Sequence, residues 1–139
     1  MAHILLTEDD EAVRAFVARA LTLDNHTVVT ACDGEEAFDM LQAEMRARSS
    51  NRACGSDGAC GFDMLLSDIK MPFMDGIELA RHAHDMFPAM PVMLMTGYAD
   101  QRERAAGVKA VDVVSKPFTL AEIRNAVTAV LGESYATAC

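Results

Sequence analysis

Five short apolar runs recur along the chain: His3-Ile4-Leu5-Leu6-Thr7, Thr27-Val28-Val29-Thr30, Met64-Leu65-Leu66-Ser67, Val92-Met93-Leu94-Met95 and Val111 to Val114. A strand with one face in water alternates apolar and polar residues, whereas a strand covered on both faces reads as a continuous run, as these do. Helical patterns separate them. Val13, Phe16, Val17, Ala20 and Leu21 fall on one helix face, and Ile123, Ala126, Val127, Val130 and Leu131 repeat that spacing near the C-terminus. Thr119 and Glu122 form a capping box that opens the last helix. Less regular helices are expected between Gly34 and Ala47, with Phe38, Leu41 and Met45 on one face, between Gly76 and Phe87, and over Asp100 to Ala106. The alternation predicts an α/β fold of the (βα)5 kind, with a parallel sheet covered on both faces and right-handed crossovers.

With 139 residues, 51% of them hydrophobic, the chain has material for one domain with a proper core, expected over residues 1–131 and followed by a short tail, 132–139. One segment fits the pattern poorly. Residues 47–61, ARSSNRACGSDGACG, exceed an ordinary helix-to-strand connection and read as a long, flexible surface loop. A formal charge of −9 argues against holding a nucleic acid or an anionic membrane, since both need clustered Lys and Arg. Carboxylates in MAHILLTEDDE interrupt any signal peptide, and no run approaches a membrane span, so a cytoplasmic location is expected. Cys32, Cys54, Cys60 and Cys139 are then expected as free thiols.

In an open α/β sheet, ligands gather at the carboxyl ends of the strands. Here the first run ends in Glu8-Asp9-Asp10, the third in Asp68, the fourth in Thr96-Gly97 and the fifth in Ser115-Lys116-Pro117; the second, ending in Ala31-Cys32-Asp33-Gly34, offers only a turn signal. Glu8, Asp9 and Asp68 crowded into one crevice require a proton or a cation, and an all-oxygen donor set suits a hard ion such as Mg²⁺. The hydroxyl of Thr96 and the ammonium of Lys116 suit a phosphoryl group beside that ion. A carboxylate there can attack phosphorus, with Lys116 offsetting the charge that builds on the phosphoryl oxygens.

Glu8-Asp9, Asp68 within DIKMPFMDG, Thr96-Gly97 and Lys116-Pro117-Phe118, each at a strand end and in this order, resemble the receiver domains of two-component response regulators. The resemblance implies a doubly wound CheY-like fold with strand order 2-1-3-4-5. It implies Asp68 as phospho-acceptor, Mg²⁺ held by Glu8, Asp9, Asp68 and the backbone carbonyl of Lys70, and Thr96 and Lys116 as readers of the phosphoryl group. The implied donor is a histidine kinase or a histidine phosphotransfer protein. Further matches in ILLTEDDEAVRAFVARAL, MTGYADQRERA and DVVSKPFTLAEIR resemble stand-alone receivers of alphaproteobacterial cell-cycle control, which implies an output in ClpX–ClpP proteolysis that phosphorylation switches off. Two features depart from the pattern. Val113 stands where a switching aromatic is common, leaving Tyr98 as a candidate for part of that role, and the loop 47–61 is longer than usual.

Simpler explanations compete residue by residue. Acids after a strand are often turn residues, and Asp10 is a candidate cap of the first helix. Cys54 and Cys60, spaced C-x5-C with no histidine nearby, are a poor zinc pair. His82 and His84, two apart on a helix, face different sides, and His3 and His26 read as strand-edge residues. Two other functions are carried alongside the phosphorylated switch. One is an aspartate-nucleophile phosphatase of the haloacid dehalogenase type, disfavoured because its nucleophile follows the first strand in a D-x-D pattern. The other is a phosphorylation-independent adaptor that senses redox state through Cys54 and Cys60.

Overall fold

Each apolar run becomes a strand, and four of the five extend one residue beyond the run at the carboxyl end. The strands are β1 (His3–Thr7), β2 (Thr27–Ala31), β3 (Met64–Asp68), β4 (Val92–Thr96) and β5 (Val111–Ser115). The computed structural model describes residues 3–49, 62–71, 73–87, 90–96, 111–115 and 118–138. All neighbouring strands are parallel, in the order β2-β1-β3-β4-β5. The CheY-like order is therefore the observed one, and chain direction across the sheet reverses between β1 and β3. The described helices are α1 (Glu11–Leu23), α2 (Gly34–Ser49), α3 (Gly76–Met86) and α4 (Leu120–Ala138).

Side chains of successive strand residues point to opposite faces, so each strand feeds two cores. Leu5, Leu65 and Leu94 join Leu41, Ile77 and Ala80 beneath α2 and α3. On the other face Ile4, Leu6, Leu66, Met93 and Met95 meet Val17 and Leu21 of α1 and Ile123 and Val127 of α4. This double burial is why the runs lack alternation. The strand-borne methionines Met64, Met93 and Met95 are core packing, and Phe38 and Met45 of α2 lie against the α2/α3 core with buried Leu41, as their spacing predicts.

Three expectations change. Phe16, expected on the buried face of α1, is 39% exposed and stacks on Phe118, the ring centroids 6.3 Å apart. Helix α2 continues to Ser49, so residues 47–49, read as loop, are helical, and the remainder of that segment with Cys54 and Cys60 lies outside the described residues. Helix α4 runs to Ala138, so residues 132–138, read as a tail, continue the helix. The helix expected over residues 100–106 also lies outside the described residues.

Local chemistry sets the element ends. Asp10 is extended and accepts hydrogen bonds from Ala12 N and Val13 N, which makes it the N-cap of α1. Asp75 caps α3 through Glu78 N. The Thr119–Glu122 box forms in both directions, Glu122 N donating to Thr119 Oγ1 at 3.1 Å and Thr119 N to Glu122 Oε1 at 2.8 Å. At the opposite end of α1, Asp24 accepts both Nε and Nη2 of Arg124 from α4, tying two helices of one face together. The hydrogen bond from Arg124 is the main cause that holds the Asp24 carboxyl below its ordinary value, against opposing desolvation.

Candidate functional site

β1 and β3 lie side by side where strand order reverses, so their carboxyl ends open on one crevice. Glu8 directly follows β1 and is fully buried. Its backbone N donates to Ala31 O at 3.2 Å and its carbonyl accepts Arg14 Nη1 at 2.9 Å. The Glu8 Oε1 atom accepts Asp10 N at 3.1 Å, which turns the chain sharply and leaves Asp9 exposed.

Asp68 is the last residue of β3, paired with Met95 and only 7% exposed. Its Oδ1 accepts Ile69 N at 3.0 Å, which fixes the carboxylate relative to the departing chain. Glu8, Asp9 and Asp68 each offer a carboxylate oxygen within 4.8 Å of the others. Charges this close repel by roughly 1 kcal/mol per pair in watery surroundings and about 3 kcal/mol at an effective dielectric near 20. A divalent cation relieves that repulsion, and an oxygen-only donor set with an open, exposed side fits a hard cation that keeps part of its water.

Beside Asp68, β4 ends in Thr96, which is 1% exposed and paired with Ser115 of β5. The loop leaving Asp68 carries Lys70, whose side chain is exposed. The turn closes through Gly76 N to Ile69 O at 2.8 Å. Gly76 passes so near the Asp68 backbone that a Cβ would sit 2.1 Å from the Asp68 carbonyl oxygen. Only glycine admits that approach.

The structure thus brings together Glu8, Asp9 and Asp68 and sets Thr96 at the end of a neighbouring strand. Tyr98, Gly97, Lys116 and Pro117 lie outside the described residues. Val113, half-buried on β5, packs against the α2/α3 core. Cys32 is exposed at the end of β2. His3 opens β1 with its ring 5.0 Å from that of Phe62, and His26 stands just before β2, where burial pushes its imidazole below its ordinary value. The His82 ring lies tilted against that of Phe38, centroids 4.7 Å apart, and 3.8 Å from Glu78, so its role is explained without a ligand. Two features were not singled out from sequence. Phe73 is 82% exposed with φ 70°, and Gly34 meets the backbone of Met74. The turn signal Asp33-Gly34 was visible, but not what the glycine touches.

Among the described residues no helix is long and apolar enough to cross a membrane. A family model described as the response regulator receiver domain matches residues 4–128. The chain is 35% identical over 133 residues to the response regulator receiver protein CpdR of Brucella abortus (strain 2308), covering 94% of this chain and 98% of that protein. It is 33% identical over 131 residues to the response regulator MprA of Mycobacterium avium (strain 104), covering 93% of this chain but spanning about half, 50%, of MprA. The crystal structure of a response regulator receiver protein from Sinorhizobium medicae WSM419 is 26% identical, with a TM-score of 0.76 and 95% of both chains covered. With the sheet order, the acid cluster at the switch point and these matches in hand, the chain belongs to the response regulator receiver domain family.

Proposed function

We propose that the chain is a phosphorelay switch that takes a phosphoryl group on Asp68 from the phosphohistidine of a histidine kinase or a histidine phosphotransfer protein. One observation carries the proposal: three carboxylates from two strand ends lie within 4.8 Å of one another, two of them on buried residues. Such a set is costly for stability and is explained by a bound cation and a group that needs one. An Asp68 carboxylate oxygen attacks phosphorus, the P–N bond to the donor imidazole breaks, the imidazole nitrogen keeps the electron pair, and an acyl phosphate forms.

Glu8, Asp9, Asp68 and the Lys70 backbone carbonyl would hold Mg²⁺. When bound, the ion supplies positive charge against the oxygens of the transferring group. The Asp68 side chain is held for attack by Ile69 N. Thr96, buried at the end of β4, is the hydroxyl offered to the phosphoryl oxygens, and Lys116 supplies a countercharge. Output follows from rearrangement of the strand ends around that group, with Tyr98 and Val113 as the side chains through which it reaches the surface. The three long stretches of resemblance to cell-cycle receivers support a cytoplasmic protein that acts on ClpX–ClpP proteolysis in its unphosphorylated form.

A small phosphodonor such as acetyl phosphate with Mg²⁺ tests the acceptor: wild type gains one phosphoryl group by intact-mass measurement, and Asp68→Asn gains none. Undiminished labelling of Asp68→Asn overturns the assignment. Lys116→Ala is expected to accept phosphate to some extent yet lose the output change, read as equal partner binding by its phosphorylated and free forms. For the proteolytic output, ClpX–ClpP degradation assays with the protein phosphorylated and unphosphorylated should differ.

A further inference from the structure

The β2–α2 junction is the one strand end to which the sequence assigns no site residue, yet it touches both parts of the scaffold beneath the acid cluster. On one side Ala31 O accepts Glu8 N at 3.2 Å, directly behind the buried acid. On the other, buried Gly34 lies against the loop that leaves Asp68, where an added Cβ would sit 2.2 Å from the Met74 carbonyl oxygen. Two hydrogen bonds hold the junction itself: Cys32 N donates to Glu36 Oε1 at 2.7 Å, and Glu36 N to Asp33 Oδ1 at 2.8 Å.

Gly34 does not sit in the left-handed region, so torsion does not demand glycine there. As the first residue of a helix it is a worse choice than alanine on propensity alone. Space decides instead: a methyl group at position 34 must drive the Met74 carbonyl away. That carbonyl belongs to a short loop already tied at Ile69 by Gly76 N and pressed against the Asp68 carbonyl at Gly76. A displacement at Met74 strains a loop already tied at Ile69 and Gly76, the loop that carries Lys70.

We infer that Gly34 is a positioning residue for the cation and phosphoryl site, with the β2–α2 junction acting as a brace that sets the loop after Asp68 relative to Glu8. The inference rests on the proposed site: a cation bound by Glu8, Asp9, Asp68 and the Lys70 carbonyl feels any change in the spacing of β1 and that loop. Groups that orient metal ligands from behind, when altered, cost roughly ten- to a hundredfold in metal affinity.

The test is a Mn²⁺ titration of the full chain, followed by the electron paramagnetic resonance signal of the free ion, with urea unfolding in parallel. Gly34→Ala is expected to remain folded and to bind Mn²⁺ at least about tenfold more weakly than wild type. Glu36→Ala, an exposed change that frees Cys32 N, is expected to weaken binding in the same direction by a smaller factor. Val127→Ala, in the core on the other face of the sheet, is expected to lower stability and leave Mn²⁺ affinity unchanged. Wild-type affinity in folded Gly34→Ala overturns the brace while leaving the site intact, as does an equal loss in Val127→Ala. Should Gly34→Ala not fold, Glu36→Ala decides, and wild-type affinity there overturns the brace. No saturable Mn²⁺ binding by wild type overturns the site reading first, and the brace with it.

Discussion

Phe73 holds a backbone conformation that a phenylalanine resists. At φ 70° its Cβ crowds the following carbonyl, which costs about 1–2 kcal/mol, and at 82% exposure its ring recovers little of that by burial. Phe73→Gly is therefore expected to raise stability by roughly 0.5–1 kcal/mol, the relief of strain outweighing the extra freedom glycine gives the unfolded chain. Urea unfolding with an unchanged slope and a higher midpoint is the expected result, and a lower midpoint rejects it. Gly76 is the converse case, since a methyl group 2.1 Å from the Asp68 carbonyl oxygen forces backbone to move. Neither feature was legible in DIKMPFMDG, because a turn's dihedrals and its close approaches arise from where the chain must go after Asp68. The acids were legible for the opposite reason. A polar residue that ends a buried apolar run lies at the sheet's carboxyl edge, so Glu8, Asp68 and Thr96 were placed by the strands that deliver them.

The starts of α1 and α4 were written in the sequence, at Asp10 and the Thr119–Glu122 box, and the ends of α2 and α4 were not. Asp10, Asp75 and the Thr119–Glu122 box satisfy exposed N–H groups with side chains at fixed offsets, a local pattern that survives whatever the fold. Thr119→Ala is expected to cost about 1 kcal/mol, read as a lower urea midpoint. Ends carry weaker signals. Helix α4 runs through Gly132, which lowers helix propensity without forbidding a helix, and α2 passes Ala47 into Arg48 and Ser49, which no breaker separates from it. Contacts between distant elements leave no local pattern either, as with Arg124 and Asp24, which lie 100 positions apart. The folded Asp24 carboxyl titrates below its unfolded value of 3.8, so the stability this pair adds is present above that pH and is lost as pH falls through the lower, folded value. Arg124→Ala should therefore be less stable than wild type near neutrality, and the difference should shrink below about pH 3.8. A gap between the two unfolding curves that persists unchanged to lower pH rejects that linkage.

At the scale of the whole molecule, the fold itself creates the electrostatic problem that its site resolves. Two cores, one on each face of the sheet, fix β1 and β3 side by side, so the acids that follow or end them share one crevice. Glu8, Asp9 and Asp68 are thereby held within 4.8 Å in a chain whose formal charge is already −9. Without a cation the arrangement subtracts from folding stability, and with one the sign reverses, because an ion bound by the folded state alone stabilises it by RT ln(1 + [L]/Kd). At a hundredfold excess over Kd this is about 2.7 kcal/mol, on the order of 10 °C in Tm for a domain of this size. Asp68→Asn removes one charge from the cluster and one ligand from the ion. It is expected to melt above wild type in EDTA and to lose most of the Mg²⁺-dependent rise. NaCl matched for ionic strength should raise wild-type Tm less than Mg²⁺ does, because screening acts on the whole surface while ligation acts where the carboxylates meet. Calorimetry of both proteins in EDTA, NaCl and MgCl₂ separates these contributions: an equal Mg²⁺ effect on wild type and Asp68→Asn assigns the stabilisation to the general surface charge and removes the acid cluster from the account.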